Sequence, residues 1–163
     1  MILVVLGTQD KKFYRLLDRI EEYASNTKGR KKIVVQAGCS SDYKSNYMDI
    51  FDLIPFDEFE SLVDSCDILI THGGVGSIIS GLKRGKKVIA CARLKKYGEH
   101  TNDHQLQIVN NFAEEGYILK MDENDDLEDT FKALKKFRPK KFESNTENFA
   151  LLVKKEIDKY FNR

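Results

Sequence analysis

Ile68-Leu69-Ile70-Thr71-His72-Gly73-Gly74-Val75-Gly76-Ser77 is the stretch that decides how this 163-residue chain folds. Asp67 to Thr71 is a short apolar, β-branched run of the kind that forms a buried strand. Glycines then fill three of the next positions, and a helix opens behind them. Glycine lets the backbone come close to a ligand, while the free N–H groups of a helix N-terminus face an anion. A phosphate or diphosphate is the natural guest. The plain alternative is a ligand-free strand-to-helix turn, but three glycines in four positions exceed what a turn needs.

Outward from this point the period of the sequence alternates. On the N-terminal side, Ile2 to Leu6 reads as a buried strand, followed by a helical face of Phe13, Leu16, Leu17, Ile20 and Ala24. Ile33 to Ala37 is the next strand. Residues 40–50 show no period, Phe51 to Phe56 reads as a short extended piece around Pro55, and Asp57 is expected to cap a helix carrying Phe59, Leu62, Val63 and Cys66. On the C-terminal side come a strand at Val88 to Ala92, a polar loop from Arg93 to Asn102, and a helical face of Leu106, Val109, Phe112 and Ala113 ended by Gly116. Tyr117 to Met121 is the last strand expected. Leu127, Phe131 and Leu134 predict a helix, and Ser144 with Glu147 forms a capping box for a final one over residues 144–163.

Strands alternating with helices of this length predict an α/β fold, a Rossmann-like, mostly parallel sheet with helices on both faces. Ligands of such sheets bind beyond the C-terminal ends of the strands. That rule selects Gly7 to Asp10, Gly38 to Ser41, His72 to Ser77 and Arg93 to His104. The length suits one domain, residues 1–163, without a linker or repeat.

With 27 Lys and Arg against 26 Asp and Glu, the chain has no overall polyanion footprint, so no nucleic-acid partner is expected and any anion must be met locally. Cys39, Cys66 and Cys91 form no C-x-x-C pair; an odd count without a leader predicts buried free thiols in a reducing compartment. No apolar run approaches the ~18–20 residues of a membrane span, so a cytoplasmic protein is expected, attached to a membrane only through a partner.

Seven of the ten glycines and all three histidines lie between His72 and Gly116. A dinucleotide fingerprint is excluded: Gly74 and Gly76 supply its first two glycines, but Ile79 holds the third place and Arg93 follows the next strand where an acid is needed. A P-loop at Gly85-Lys86 fails too, because Ser80 and Lys87 replace its first glycine and its Ser/Thr. His100 and His104 lack a third ligand at zinc spacing, and Asp122 to Asp126 lacks the glycine and terminal Glu of a calcium loop, so no metal is expected. The loop after Val88 to Ala92 concentrates Arg93, Lys95, Lys96, Glu99, His100, Asn102, Asp103, His104 and Gln105. Its cations suit a diphosphate and its amides and carboxylates suit sugar hydroxyls. Taken singly, Asn102 or Asp103 reads equally as a helix cap and the lysines as solvated charges.

Residues 1 to about 135 resemble the C-terminal, nucleotide-sugar-binding domain of family 28 glycosyltransferases of GT-B architecture. The matching pieces are Val5-Leu6-Gly7-Thr8 with Phe13-Tyr14-Arg15-Leu16-Leu17, then Ile70 to Ile78, then Arg93 through Gln105. The chain is most similar to stand-alone versions: the PssE/EpsF-type subunits of bacterial capsule and exopolysaccharide synthesis, and the catalytic subunit of the two-subunit N-acetylglucosaminyltransferase of N-glycan assembly. Lys96-Tyr97-Gly98-Glu99-His100 with Asn102-Asp103-His104-Gln105 points to the polysaccharide branch.

The resemblance implies a UDP-sugar donor, bound as substrate with no cofactor or metal. Its diphosphate would lie near Gly74, Gly76 and Ser77, its sugar near Asp103, His104 and Gln105, and Gly7 and Thr8 would share the rim, with Gly73 also in the donor-binding set. Arg93, Glu99, His100 and Asn102 complete the expected donor-binding set. Members often carry a ribose-binding Glu where Ser80 stands here, and Glu99 is the expected substitute. The implied reaction is inverting transfer of a hexosyl residue to a lipid-linked saccharide acceptor, held by a membrane-anchored partner subunit at the inner face of the membrane. The base is expected in that partner, with His72 as the local catalytic candidate. Residues 144–163 are expected to help dock the partner. Two further readings stand beside this one: a non-catalytic nucleotide-sugar-binding module, and a hydrolase or epimerase of UDP-GlcNAc that would need a second domain.

Overall fold

A computed structural model describes residues 1–28 and 30–143; the helix expected over 144–163 lies outside them. Six parallel strands form one sheet in the order β3-β2-β1-β4-β5-β6. They are β1 (Ile2–Val5), β2 (Ile33–Gln36), β3 (Asp49–Phe51), β4 (Ile68–His72), β5 (Lys87–Cys91) and β6 (Leu119–Lys120). Among the described residues, α1 (Tyr14–Asn26), α2 (Phe56–Ser65), α3 (Val75–Lys83) and α4 (His104–Glu114) connect the strands, and α5 (Leu127–Lys136) follows β6. This is the doubly wound order, with its switch point between β1 and β4.

Side chains alternate across each strand with period two, and here both faces are covered. Ile2, Val4, Val35 and Ile70 point to α1 and α5, against Phe13, Leu16, Leu17, Ile20, Phe131 and Leu134. Leu3, Val5, Val34, Leu69 and Val88 point to α2, α3 and α4, against Val63, Ile78, Leu82 and Val109. In the central register Val4 lies beside both Val35 and Ile70. Each such fully buried side chain stabilises the fold by about 1.5–3 kcal/mol in transfer terms. Among the described residues, no helix is long and apolar enough to cross a membrane.

Three expectations are corrected. The extended piece lies at Asp49–Phe51, upstream of its expected position, because those residues pair with Val34 to Gln36. Pro55 occupies the N-cap position of α2 with φ −52°, so Asp57 sits inside the first turn as a charge favourable to the helix dipole, not as its cap. Cys39 is exposed on a short 3-10 turn, whereas Cys66 and Cys91 are buried. Gly116 does end α4, in the left-handed region at φ 78°.

Candidate functional site

At the C-terminal ends of the strands, the loops after β1, β3 and β4 meet the end of β2 and the first turn of α4 around a cleft of about 420 Å³. Gly7, Thr8, His72, Gly74, Gly76, Ser77 and Gln105, all expected from the sequence, line it. The parallel register brings Val5, Gln36 and Thr71 level, so each strand delivers its following loop to the same edge.

His72 is the floor of this cleft. Its Nδ1 lies 3.3 Å from the Val5 carbonyl oxygen, which can only accept, so Nδ1 carries the proton and Nε2 keeps its lone pair. Burial, helped by the charge of Arg93 and opposed by the Val5 bond, pushes the imidazole down to about 4. The ring is neutral at physiological pH. Two glycines make room for it: a Cβ on Gly7 would stand 2.7 Å from Nε2, and one on Gly74 would stand 2.3 Å away. Gly7 also has φ +75°, where a side chain is strained.

Gly76 is different. A Cβ there would meet nothing within 4 Å among the described residues, so no packing within them demands a glycine. It lies in the first turn of α3, whose N-cap residue Gly74 offers no side-chain cap. Uncapped N–H groups at a helix N-terminus beside open space are able to donate to an anion.

Gln105 locks the glycine loop to α4. Its Oε1 accepts from the Gly73 and Arg93 backbone N–H groups, both at 3.2 Å, leaving Nε2 as the group able to donate into the cleft. Gly73 is itself packed against Gln105, with a Cβ position 2.6 Å from that residue's Cβ, and does not line the cleft.

The other members of the polar loop are placed elsewhere. Arg93 is 1% exposed. Its guanidinium donates to the carbonyl oxygens of Leu6 at 2.7 Å, Lys11 at 2.8 Å and Glu99 at 3.3 Å. Glu99 is 4% exposed and accepts from Arg15 Nε at 2.9 Å, from Arg15 Nη2 at 2.7 Å and from the Leu94 N–H at 2.9 Å. These two residues therefore brace the loops after β1 and β5 instead of meeting a ligand directly, which corrects the expectation for both and removes Glu99 as a ribose contact. The reason is that a buried charge must be paired and hydrogen-bonded, and each is the other's neighbour in that network. Ser80 accepts from Arg84 at 3.1 Å and is turned away from the cleft as well.

His100 accepts the Asn102 N–H at Nδ1, 3.2 Å away, so its proton sits on Nε2, 3.0 Å from the Gln9 carboxamide; that contact calls for the carboxamide oxygen. It ties the loop after β1 to the loop after β5. Asn102 accepts the His104 N–H, and Asp103 accepts the Lys95 N–H, so the three exposed residues Asn102, Asp103 and His104 shape the start of α4 at the rim. Lys96 is paired with Glu123. Among the described residues no cluster of three His, Cys, Asp or Glu side chains is placed to hold a metal ion.

Gln36, Ile54, Phe56 and Phe59 line the cleft without having been singled out from the sequence, beside Gln9 from the selected segment Gly7 to Asp10. Phe56 is 73% exposed, an aromatic face left bare at the rim. Gln36 is 8% exposed and its Oε1 has no hydrogen-bond partner among the described residues. The exposed Phe beside a proline was the one available signal.

The sequence pattern of the glycosyltransferase family 28 C-terminal domain matches residues 1–160. The UDP-N-acetylglucosamine transferase subunit ALG13 of Saccharomyces cerevisiae is 29% identical over 106 residues, which cover 61% of this chain and 50% of that protein. The chain thus spans about half the length of this curated relative. Among solved structures, the solution structure of ALG13 superposes with a TM-score of 0.58 at 20% identity, covering 93% of this chain and 94% of that one. The glycotransferase of kitacinnamycin gives 0.55 at 16% identity, covering 82% of this chain and 33% of that one. The glycosyltransferase SnogD from Streptomyces nogalater gives 0.50 at 18%, with 82% and 34% covered. At these identities the structures share the fold.

Proposed function

The chain belongs to the glycosyltransferase family 28 C-terminal domain family, and on that premise we propose that it is the donor-binding, catalytic subunit of a two-component inverting glycosyltransferase. Its donor is a UDP-sugar, a substrate and not a cofactor. Its acceptor is a lipid-linked saccharide of capsular or exopolysaccharide synthesis, presented by a membrane-anchored partner subunit that holds this chain at the inner face of the membrane. The partner reading is supported by a relative named as a transferase subunit, and the polysaccharide branch by Lys96 to Gln105.

One observation carries the donor site: the uncapped first turn of α3, with Gly76 open to the cleft. A diphosphate seated there receives N–H donors and the positive end of the helix dipole. Phe56, Phe59 and Ile54 offer an apolar wall to a nucleobase, the free Gln36 Oε1 offers an acceptor to its N–H or to the ribose, and Gln105 Nε2 offers a donor to the sugar. As the bond from the anomeric carbon to the diphosphate oxygen breaks, its electron pair and charge pass to UDP, where the same helix terminus stabilises them. The acceptor hydroxyl loses its proton to a base, supplied by the partner or by His72 Nε2.

Gly76→Ala separates this reading from a bare turn. The substitution is expected to raise stability by about 0.5–1 kcal/mol through helix propensity. It should weaken UDP binding at least ~tenfold by placing a methyl where the diphosphate passes. Calorimetric titration of UDP, beside thermal unfolding, checks both; unchanged affinity would sink the site.

The neutral state of His72 has its own consequence. The folded state binds its proton less readily than the unfolded chain, so stability is fully present above pH ~6.5 and is lost as pH falls toward 4. The loss attributable to this group is on the order of 2–3 kcal/mol. Denaturant unfolding at pH 7 and pH 4.5 should show a steeper acid loss for the natural chain than for His72→Gln; parallel losses would contradict it. Near-normal turnover of the same variant with the partner would remove His72 as base.

A non-catalytic sugar-nucleotide module remains the second reading, favoured by the absence of any carboxylate among the described residues lining the cleft. Release of UDP on adding partner and acceptor decides between them.

A further inference from the structure

The near-neutral total charge conceals a strong polarity. Residues 28–32 hold four Lys or Arg, residues 83–87 four, and residues 135–141 five, so thirteen of the 27 cations fall in three short segments that contain no Asp or Glu. The topology gathers all three at the end of the sheet opposite the cleft: the first leads into β2, the second into β5, and the third follows α5. The carboxylate of Asp67, at the start of β4, feels the N-terminal amine, Lys31 and Lys86 together.

Two grooves run between these segments. The larger, about 480 Å³, has a floor of Tyr23, Ile68, Phe131 and Leu134 and a rim that includes Arg30, Lys31, Lys87, Lys132 and Lys135; Glu128 is its one carboxylate. The smaller, about 310 Å³, sets Lys83, Lys86, Lys140 and Lys141 around Leu82, Pro139 and Phe142. Part of this charge is neutralised: Lys132 pairs with Glu128 and Asp129, Arg84 with Glu60 and Asp64, Lys140 with Glu115. Arg30, Lys31, Lys83, Lys135, Lys136 and Lys141 have no carboxylate within salt-bridge distance among the described residues.

We propose that this basic face is a docking surface for an anionic phospholipid bilayer. Ten of its thirteen cations are lysines, compact point charges suited to a carpet of headgroups, whereas paired recognition of nucleic-acid phosphates and bases favours arginine forks. The cations alternate with apolar side chains at groove depth, which suits a surface that is charged outside and apolar beneath. Strands run from this face to the cleft, so the basic face and the donor site occupy separate surfaces of the sheet. The inference rests on charge placement alone and stands or falls independently of the donor site.

Vesicle sedimentation tests it. The natural chain should bind phosphatidylcholine vesicles containing about 30% phosphatidylglycerol at low salt, release them near 0.5 M salt as the Debye length falls to ~3–4 Å, and ignore pure phosphatidylcholine. Lys135→Glu with Lys136→Glu should lower partitioning at least ~tenfold while UDP affinity stays unchanged. Lys95→Glu with Lys96→Glu makes the same change in net charge on the cleft side and should lower it far less. Equal losses in the two pairs would overturn the proposal, as would absence of binding to the anionic vesicles. If vesicles fail while polyglutamate binds with the same salt sensitivity, the face belongs to an acidic protein and the bilayer assignment is wrong.

Discussion

Glu99→Ala is expected to destabilise the protein by about 3–5 kcal/mol, because it strips the counter-charge from the buried Arg93 guanidinium and the half-buried Arg15 guanidinium. Arg15 makes both of its ionic hydrogen bonds to this one carboxylate and retains only the Ala92 carbonyl, at 2.8 Å, and the Cys91 sulfur, at 3.5 Å. The Leu94 N–H also loses its acceptor. Arg93 remains stacked on Phe13 at 4.8 Å, with Arg15 5.2 Å from the same ring, so two cations would share one aromatic without an anion between them. For a chain of this size the loss corresponds to a Tm lowered by roughly 10 °C, measurable by calorimetry. Glu99→Gln keeps the shape and an acceptor for Leu94, and should recover part of the loss. A fall below about 1 kcal/mol for the alanine variant would mean that solvent screens the pair and that the brace is not structural. UDP affinity should fall with stability, since the brace fixes the loops on either side of the cleft.

Gly74→Ala is expected to damage the site more selectively. Its Cβ would stand 2.3 Å from His72 Nε2 and 2.8 Å from Cε1, distances at which the ring must move. The ring has little freedom, being held to the Val5 carbonyl on one side and flanked by Gly7 on the other. Overpacking of this kind costs about 1–3 kcal/mol, and a displaced loop should lose UDP binding by roughly a hundredfold. A double-mutant cycle gives the decisive measurement. In a His72→Ala background the same Gly74→Ala change should cost little, because the group it strikes is gone. Additive penalties would show that the glycine serves the backbone turn and not the histidine.

These two cases show why the fold was more legible than the site. The alternation of β-branched runs with helical faces is a local property, since burial on both faces of a parallel sheet forces continuous apolar strands such as Ile2 to Val5. Errors came where local signals were weak: β3 is three residues of Asp, Ile and Phe, recognisable only by its pairing with β2. Gly7, Thr8, His72, Gly74, Gly76 and Ser77 could be named from strand ends alone, because the parallel topology places every βα loop on one edge. The roles of Arg93 and Glu99 could not. A charged residue in a polar loop reads as a ligand group, and only its burial against Arg15, 84 positions from Glu99, reveals a brace.

The amino-acid sequence by itself determined the layered α/β class, the edge at which a ligand must bind and the glycine loop that would receive an anion, because period, β-branching and backbone freedom act over a few neighbouring residues. Tertiary structure alone decided which polar groups face that edge. It buried Arg93 and Glu99, set His72 between two glycines, left Gly76 bare, brought Gln36 and Phe56 to the cleft, and gathered three distant basic segments at the opposite pole. Those outcomes depend on desolvation and on contacts between residues far apart in the chain, quantities that no local pattern encodes.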